Sequence, residues 1–168
     1  MADGLHGKRI YLASPLGFSE AGTQFIRQFL RPELERLGAQ VINPFDLINK
    51  ERIEEIGKMP VSPARIDAWR ALNVEIGKLN QNSIDSCEIV FAVLDGPDVD
   101  SGTASEIGYA YAKQKLIVGY RGDFRLSADN EGGMVNLQVE HFIRSSGGTI
   151  VSRVSEIAGA FSSLSLKK

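Results

Sequence analysis

Cysteine is nearly missing from this chain. One residue in 168, Cys87, carries a thiol. No disulfide can close within the chain, and a reducing, cytoplasmic setting is the expectation. Cys87 precedes an apolar run and reads as a packing group. Histidine is scarce as well. His6 and His141 stand alone, without the spacing of a metal-ligand set. An excess of one charge is also lacking: 19 Lys and Arg face 21 Asp and Glu, for a net −2. That leaves no basic footprint for a nucleic-acid polymer. No apolar run approaches the roughly 20 residues of a membrane span. The start of the chain, Met1–Arg9, lacks the apolar core of a signal peptide. With 43% apolar and 24% charged residues, the expectation is one globular domain over residues 1–168, frayed at 1–8 and 165–168.

Phosphate-binding loops are absent too. No Gly-x-x-x-x-Gly-Lys-Ser/Thr occurs, and no Gly-x-Gly-x-x-Gly follows the first apolar run. The loop Ala13–Glu20 has one Gly, no Lys or Arg, and an acid at its end. It makes a poor cradle for phosphate. An acidic run, Asp95–Asp100, suggests a calcium loop at first sight. With Gly102 at position six, however, Pro97 falls at position one and Val99 at position three, and the pattern fails.

What is present is alternation. Arg9–Ala13, Ala39–Asn43, Ile89–Leu94, Leu116–Tyr120 and Gly148–Val151 read as five strands. Between them, Ser19–Leu37 and Pro63–Ser83 carry apolar residues at helical spacing. In the first, Ser19 is placed to cap the start, Gly38 to end it, and Pro32 to kink it near Leu30. In the second, Ile66, Trp69, Leu72 and Ile76 form a stripe that reads as core or subunit interface. Leu47–Pro63 is weakly patterned, with one short helix near Glu51–Gly57. Thr103–Lys115, Val135–Arg144 and Val154–Leu164 complete the helices. This predicts an α/β fold: a flavodoxin-like (Rossmann-like) doubly wound sheet of about five parallel strands, order 2-1-3-4-5, with helices on both faces. The switch point would bring the loop after strand one, Ser14–Phe18, beside Asp95–Gly102 after strand three.

The joint between strand three and its helix holds four carboxylates: Asp95, Asp98, Asp100 and Glu106. Two readings stand. In the first, Thr103-Ala104-Ser105-Glu106 is a capping box with Thr103 as N-cap, and Asp100 favours the helix dipole. In the second, these acids do chemistry. Four of them exceed what one cap uses, and like charges at close range cost energy. The joint lies at the ligand-binding end of the sheet. A carboxylate held ionised near a helix N-terminus can attack an anomeric carbon, and a second carboxyl group can assist the departing base.

The run Leu94-Asp95-Gly96-Pro97-Asp98-Val99-Asp100-Ser101-Gly102-Thr103-Ala104-Ser105-Glu106-Ile107-Gly108-Tyr109-Ala110 resembles the motif of the nucleoside 2-deoxyribosyltransferase family. Ile10-Tyr11-Leu12-Ala13 is similar to that family's first strand, and Tyr120-Arg121-Gly122-Asp123-Phe124-Arg125 to a loop of one subgroup. Val135-Asn136-Leu137 resembles a segment lent to a neighbouring subunit. The likeness covers roughly Arg9 to Val151. It implies a cofactor-free transferase acting on deoxynucleosides and free nucleobases, assembled as a homodimer or larger homo-oligomer with shared sites. Glu106 would be the nucleophile, Tyr11 would orient it, and Asp100 would hold or protonate the base. Asn136 of a neighbouring protomer would bind the sugar 5′-hydroxyl. Asn80 stands where some members carry an aspartate in the deoxyribose pocket, which shifts leaving-group protonation toward Asp100 or solvent.

Further candidates carry a plain reading beside the functional one. Phe18 stacks on a base or anchors its loop. Asp46, past strand two, lines the cleft or forms a turn. Asp123 and Arg125 contact the base or pair with each other. Gly102 lies at the turn beside the substrate, and Asp95 and Asp98 have no assigned role. Two other functions remain open at this level. One is N-glycoside hydrolysis of a deoxynucleoside 5′-monophosphate, which needs a phosphate site. The other is a non-catalytic nucleotide-binding sensor, which would not need four acids at one joint.

Overall fold

In the computed structural model, which describes residues 5–164, five short runs form one parallel sheet. The strands are β1 (Arg9–Ala13), β2 (Gln40–Ile42), β3 (Ile89–Val93), β4 (Leu116–Tyr120) and β5 (Ile150–Val151), in the order β2-β1-β3-β4-β5. The predicted fold class and strand order are both observed. Every residue of β3 is buried, as expected of a central parallel strand covered on both faces. The side chains alternate cleanly. Ile10, Leu12, Ile89, Phe91 and Val93 enter one core cluster; Tyr11, Ala13, Val90, Ala92 and Leu94 enter the other. Each large side chain buried this way contributes about 1.5–3 kcal/mol.

The first cluster is closed by α1 (Glu20–Phe25), α2 (Arg31–Arg36) and α8 (Ile157–Ser163). The second is closed by α6 (Ser101–Ala112), α7 (Leu137–Ser145) and the C-terminal end of α5 (Pro63–Asp85). Between β2 and α5 lie two short helices, α3 (Pro44–Leu47) and α4 (Lys50–Lys58). Ser19 caps α1 by accepting from the Gly22 amide at 3.1 Å, as its position predicts. The expected irregularity near Leu30 takes the form of a π-helical stretch, Ile26–Leu30, just ahead of Pro32. A wider turn there suits a residue that cannot donate an N–H.

Some boundaries move. Asn43 leaves β2 to cap α3, its side chain accepting from the Phe45 amide. Asn136 caps α7 in the same way, so that helix begins at Leu137. Residues 5–8 are not frayed: Leu5 is fully buried, and Gly7 donates to the Gly38 carbonyl. The rest of the fraying expectation, residues 1–4 and 165–168, lies outside the described residues. Cys87 is buried and free, as a packing role requires. No helix among the described residues is long and apolar enough to cross a membrane.

Candidate active site

β1 and β3 are neighbours paired in register, Tyr11 beside Val90, and the chain leaves them in opposite directions. The resulting crevice at their C-terminal ends is a topological switch point. A cavity of about 590 Å³ occupies it. Loop Ser14–Phe18, the α3–α4 segment, α5 and the start of α6 each contribute to its walls.

At its inner end the Tyr11 hydroxyl donates to Glu106 Oε1 at 2.6 Å, linking residues 95 apart in sequence. Tyr11 is fully buried on the α6 side of the sheet. Burial pushes its phenol far above the ordinary range, and the neighbouring Glu106 carboxylate adds to this, so the hydroxyl stays a donor. Burial also pushes the Glu106 carboxyl up, to about 7. The Tyr11 hydrogen bond opposes that rise, and the Asp100 carboxylate adds to it.

This corrects the capping-box reading. Asp100, not Thr103, is the N-cap of α6: its Oδ2 accepts from the Thr103 amide at 2.9 Å and from Thr103 Oγ1 at 3.3 Å. Glu106 therefore sits in the second turn. It is past the reach of the helix dipole, which falls off within the first turn. Its side chain turns to Tyr11 instead of back to the cap. The expected ionisation by the helix N-terminus gives way to a balance between burial and one phenol. Asp100 shares the cleft wall with Glu106, so the two acids expected to act together are brought together.

Phe18, Gly102 and Asn80 also line the cavity. Phe18 is 81% exposed and meets Phe45 edge-on, with ring centroids 4.9 Å apart. Gly17 makes this possible, since a Cβ there would lie 2.2 Å from the Phe45 ring. Asn80 Oδ1 is buried and has no hydrogen-bond partner.

Four of the named residues lie outside the cleft of this chain. Asp46 pairs with Arg31 at 2.9 Å and is not part of the lining. Phe45 and Ile48, three apart on one face of the turn, face the cleft in its place. Asp123 and Arg125 pair with each other, and that bond holds the Asp123 carboxyl well below its ordinary value. They do not line the cleft. Asn136, at the head of α7, is likewise outside the cleft of its own chain.

Sequence reasoning missed the apolar wall formed by Phe45, Ile48, Ile53 and Ile76. Ile76 was legible only as part of a stripe on α5. It also missed Arg121. That guanidinium is 3% exposed and donates to the carbonyls of Leu94, Gly96 and Arg125, strapping the loop after β4 to the loop after β3. The loop acids have structural partners. Asp95 accepts from the Asp123 amide at 2.9 Å, and Asp98 from the Val99 amide at 2.7 Å. Among the described residues, no three His, Cys, Asp or Glu converge to hold a metal ion.

Known proteins share this arrangement of elements. A 2-deoxyribosyltransferase from Leishmania mexicana has a TM-score of 0.60 at 22% identity, covering 92% of this chain and 95% of its own. A CMP N-glycosidase from Clostridium botulinum has a TM-score of 0.53 at 22% identity, covering 90% and 95%. At these identities the likeness bears on the fold. A curated, uncharacterized protein of Schizosaccharomyces pombe is 28% identical over 121 residues, 70% of this chain and 51% of its own. The chain thus spans about half the length of that relative. Residues 10–138, from the strand bearing Tyr11 past the helix bearing Glu106 to Asn136, match the family model for nucleoside 2-deoxyribosyltransferase; with the Tyr11–Glu106 pair at the head of its cleft, the chain belongs to that family.

Proposed function

We propose that this protein exchanges the nucleobase of 2′-deoxyribonucleosides through a covalent deoxyribosyl ester on Glu106. The observation that carries the reading is the Tyr11–Glu106 hydrogen bond at the inner end of the switch-point cleft. A carboxyl pushed up to about 7 is a stronger nucleophile than an ordinary carboxylate, yet a large fraction is ionised near neutrality. The Tyr11 hydroxyl binds one oxygen and leaves the other to attack.

Glu106 attacks C1′ with an electron pair from its free oxygen. The C1′–N bond breaks, and its electrons leave with the base. Asp100, on the same wall, holds the departing base by hydrogen bonding, and solvent completes its protonation. A second base then attacks C1′ from the face the first one left, the C1′–O bond to Glu106 breaks to regenerate the carboxylate, and the incoming base gives its ring N–H proton to solvent. Two inversions give net retention and ping-pong kinetics. A missing 2′-hydroxyl makes the oxocarbenium-like state easier to reach. Phe18, Phe45, Ile48, Ile53 and Ile76 present an apolar wall to a flat base and read little of its edge. Asn80 offers its unpartnered Oδ1 to a sugar hydroxyl. Asn136 of a second copy binds the 5′-hydroxyl, which makes the working unit a homodimer or larger. The reaction requires no cofactor, and the lone buried thiol suits a cytoplasmic setting.

The test is incubation with deoxyinosine or thymidine plus free adenine, with products followed by chromatography. New deoxyadenosine, lost in Glu106→Ala, is the expected result. Free base and deoxyribose alone would assign the cleft to hydrolysis. Unchanged exchange in Glu106→Ala would remove the nucleophile assignment.

A further inference from the structure

Across loop Ser14–Phe18 from the cleft lies a second depression of about 450 Å³. Leu16, Phe25 of α1 and Phe124 of the loop after β4 form its walls, and Tyr120 at the end of β4 its floor. Phe124 is 94% exposed, an aromatic ring with nothing covering it. Tyr120 is only 7% exposed: its ring is buried, and its hydroxyl opens into the depression. Gly122 keeps that hydroxyl open: a Cβ there would stand 2.6 Å from the oxygen. A phenol with a buried ring and an accessible hydroxyl, at the floor of an aromatic-walled depression, offers a ligand atom one fixed hydrogen bond.

The rim decides which ligand. Asp95 and Asp123 stand there, and no Lys or Arg lines the depression. Nearby cations are already engaged: Arg121 on three carbonyls, Arg125 on Asp123. A phosphate would meet two carboxylates and no free cation. A flat ring with an amino group fits better. Its face packs on Phe124, its amino hydrogens reach the Asp95 oxygen that the Asp123 amide leaves free, and a ring nitrogen accepts from the Tyr120 hydroxyl. A volume of this size falls in the range of about 300–1,000 Å³ typical of small-molecule sites.

We propose that this depression is a second binding site for an amino-substituted nucleobase, separate from the cleft. Leu16 lines it while Phe18, two residues on, lines the cleft. Occupancy therefore braces the loop the two sites share. The proposal stands on the depression's own residues and does not depend on the deoxyribosyl chemistry.

The test labels the full-length protein with ¹⁵N-glycine and titrates it with adenine, then with hypoxanthine. Gly122 reports on the depression and Gly102 on the cleft, while Gly17 lies in the shared loop and senses both. Expected is a saturable Gly122 shift with its own midpoint, at least roughly tenfold weaker for hypoxanthine, which lacks the amino group. Phe124→Ala and Tyr120→Phe should abolish or weaken the Gly122 shift about tenfold while Gly102 responds as before. A Gly122 signal that stays still while Gly102 saturates would overturn the proposal, as would equal midpoints for the two bases. A silent Gly102 with a responsive Gly122 would count against the cleft reading and leave this one standing.

Discussion

With Glu106 as the proposed nucleophile, a single proton on it would divide the molecule near neutrality into an active and an inactive form. Burial raises the carboxyl to about 7, and the Tyr11 hydroxyl restrains that rise by stabilising the anion. Turnover at saturating substrate should therefore climb as pH passes through about 7 and level off above it. Tyr11→Phe removes the stabilising donor and keeps the ring. The midpoint of the pH–rate curve should move upward, with a loss of roughly tenfold at neutral pH that shrinks under alkaline conditions. A curve unmoved by Tyr11→Phe, with only a uniform loss, would reduce the tyrosine to packing. Cys87 shows the contrast: its thiol is also pushed up by burial, but it sits within the second core cluster as a packing group.

At the level of elements, Asp100 does two things at once. It caps α6, and it stands as a like charge near Glu106. Asp100→Ala should cost about 1 kcal/mol in chemical denaturation, whereas Asp100→Asn keeps the cap and should cost little. Both remove the repelling charge, so both should lower the Glu106 midpoint in the pH–rate curve. Equal destabilisation by the two would contradict the cap. The same helix shows how far sequence carries. β1, β3 and β4 were legible because each is a compact apolar run between polar breaks. The start of α6 was not, because Asp100 and Thr103 are both good caps and Thr103-x-x-Glu106 fits a box. The choice rests on Tyr11, far away in sequence, which holds the Glu106 side chain. The α3–α4 wall stayed hidden for a different reason. Each of those helices buries one residue, Pro44 or Ile56, too few to leave a periodic stripe. Asp46 was misplaced because a helix turn as short as α3 puts neighbours on opposite sides.

On the scale of the whole molecule, the doubly wound sheet brings Asp100 and Glu106 to one cleft, with Tyr11 buried behind Glu106, but leaves Asn136 outside it. Shared sites can be tested by mixing two inactive proteins, Glu106→Ala and Asn136→Ala. If protomers exchange residues in a symmetric dimer, random reassociation should restore about a quarter of the wild-type sites. No recovery after verified subunit exchange would show that each chain works alone. The burial of Glu106 beside Tyr11 has a further consequence, because it exists only when β1 and α6 have come together. In the unfolded chain Glu106 is an ordinary carboxyl, near 4.5; in the folded chain it holds its proton up to about 7. Between those values the folded state binds more protons than the unfolded one, so stability falls as pH rises through the window. Allowing for water in the cleft, the loss is about 2 kcal/mol, and Glu106→Gln should flatten it in denaturant titrations from pH 5 to pH 8. Refolding at pH 6 in weak buffer should draw close to one proton per chain out of solution through this carboxyl. Under the proposed chemistry one titration sets activity and durability against each other: the alkaline conditions that would arm the protein also loosen it.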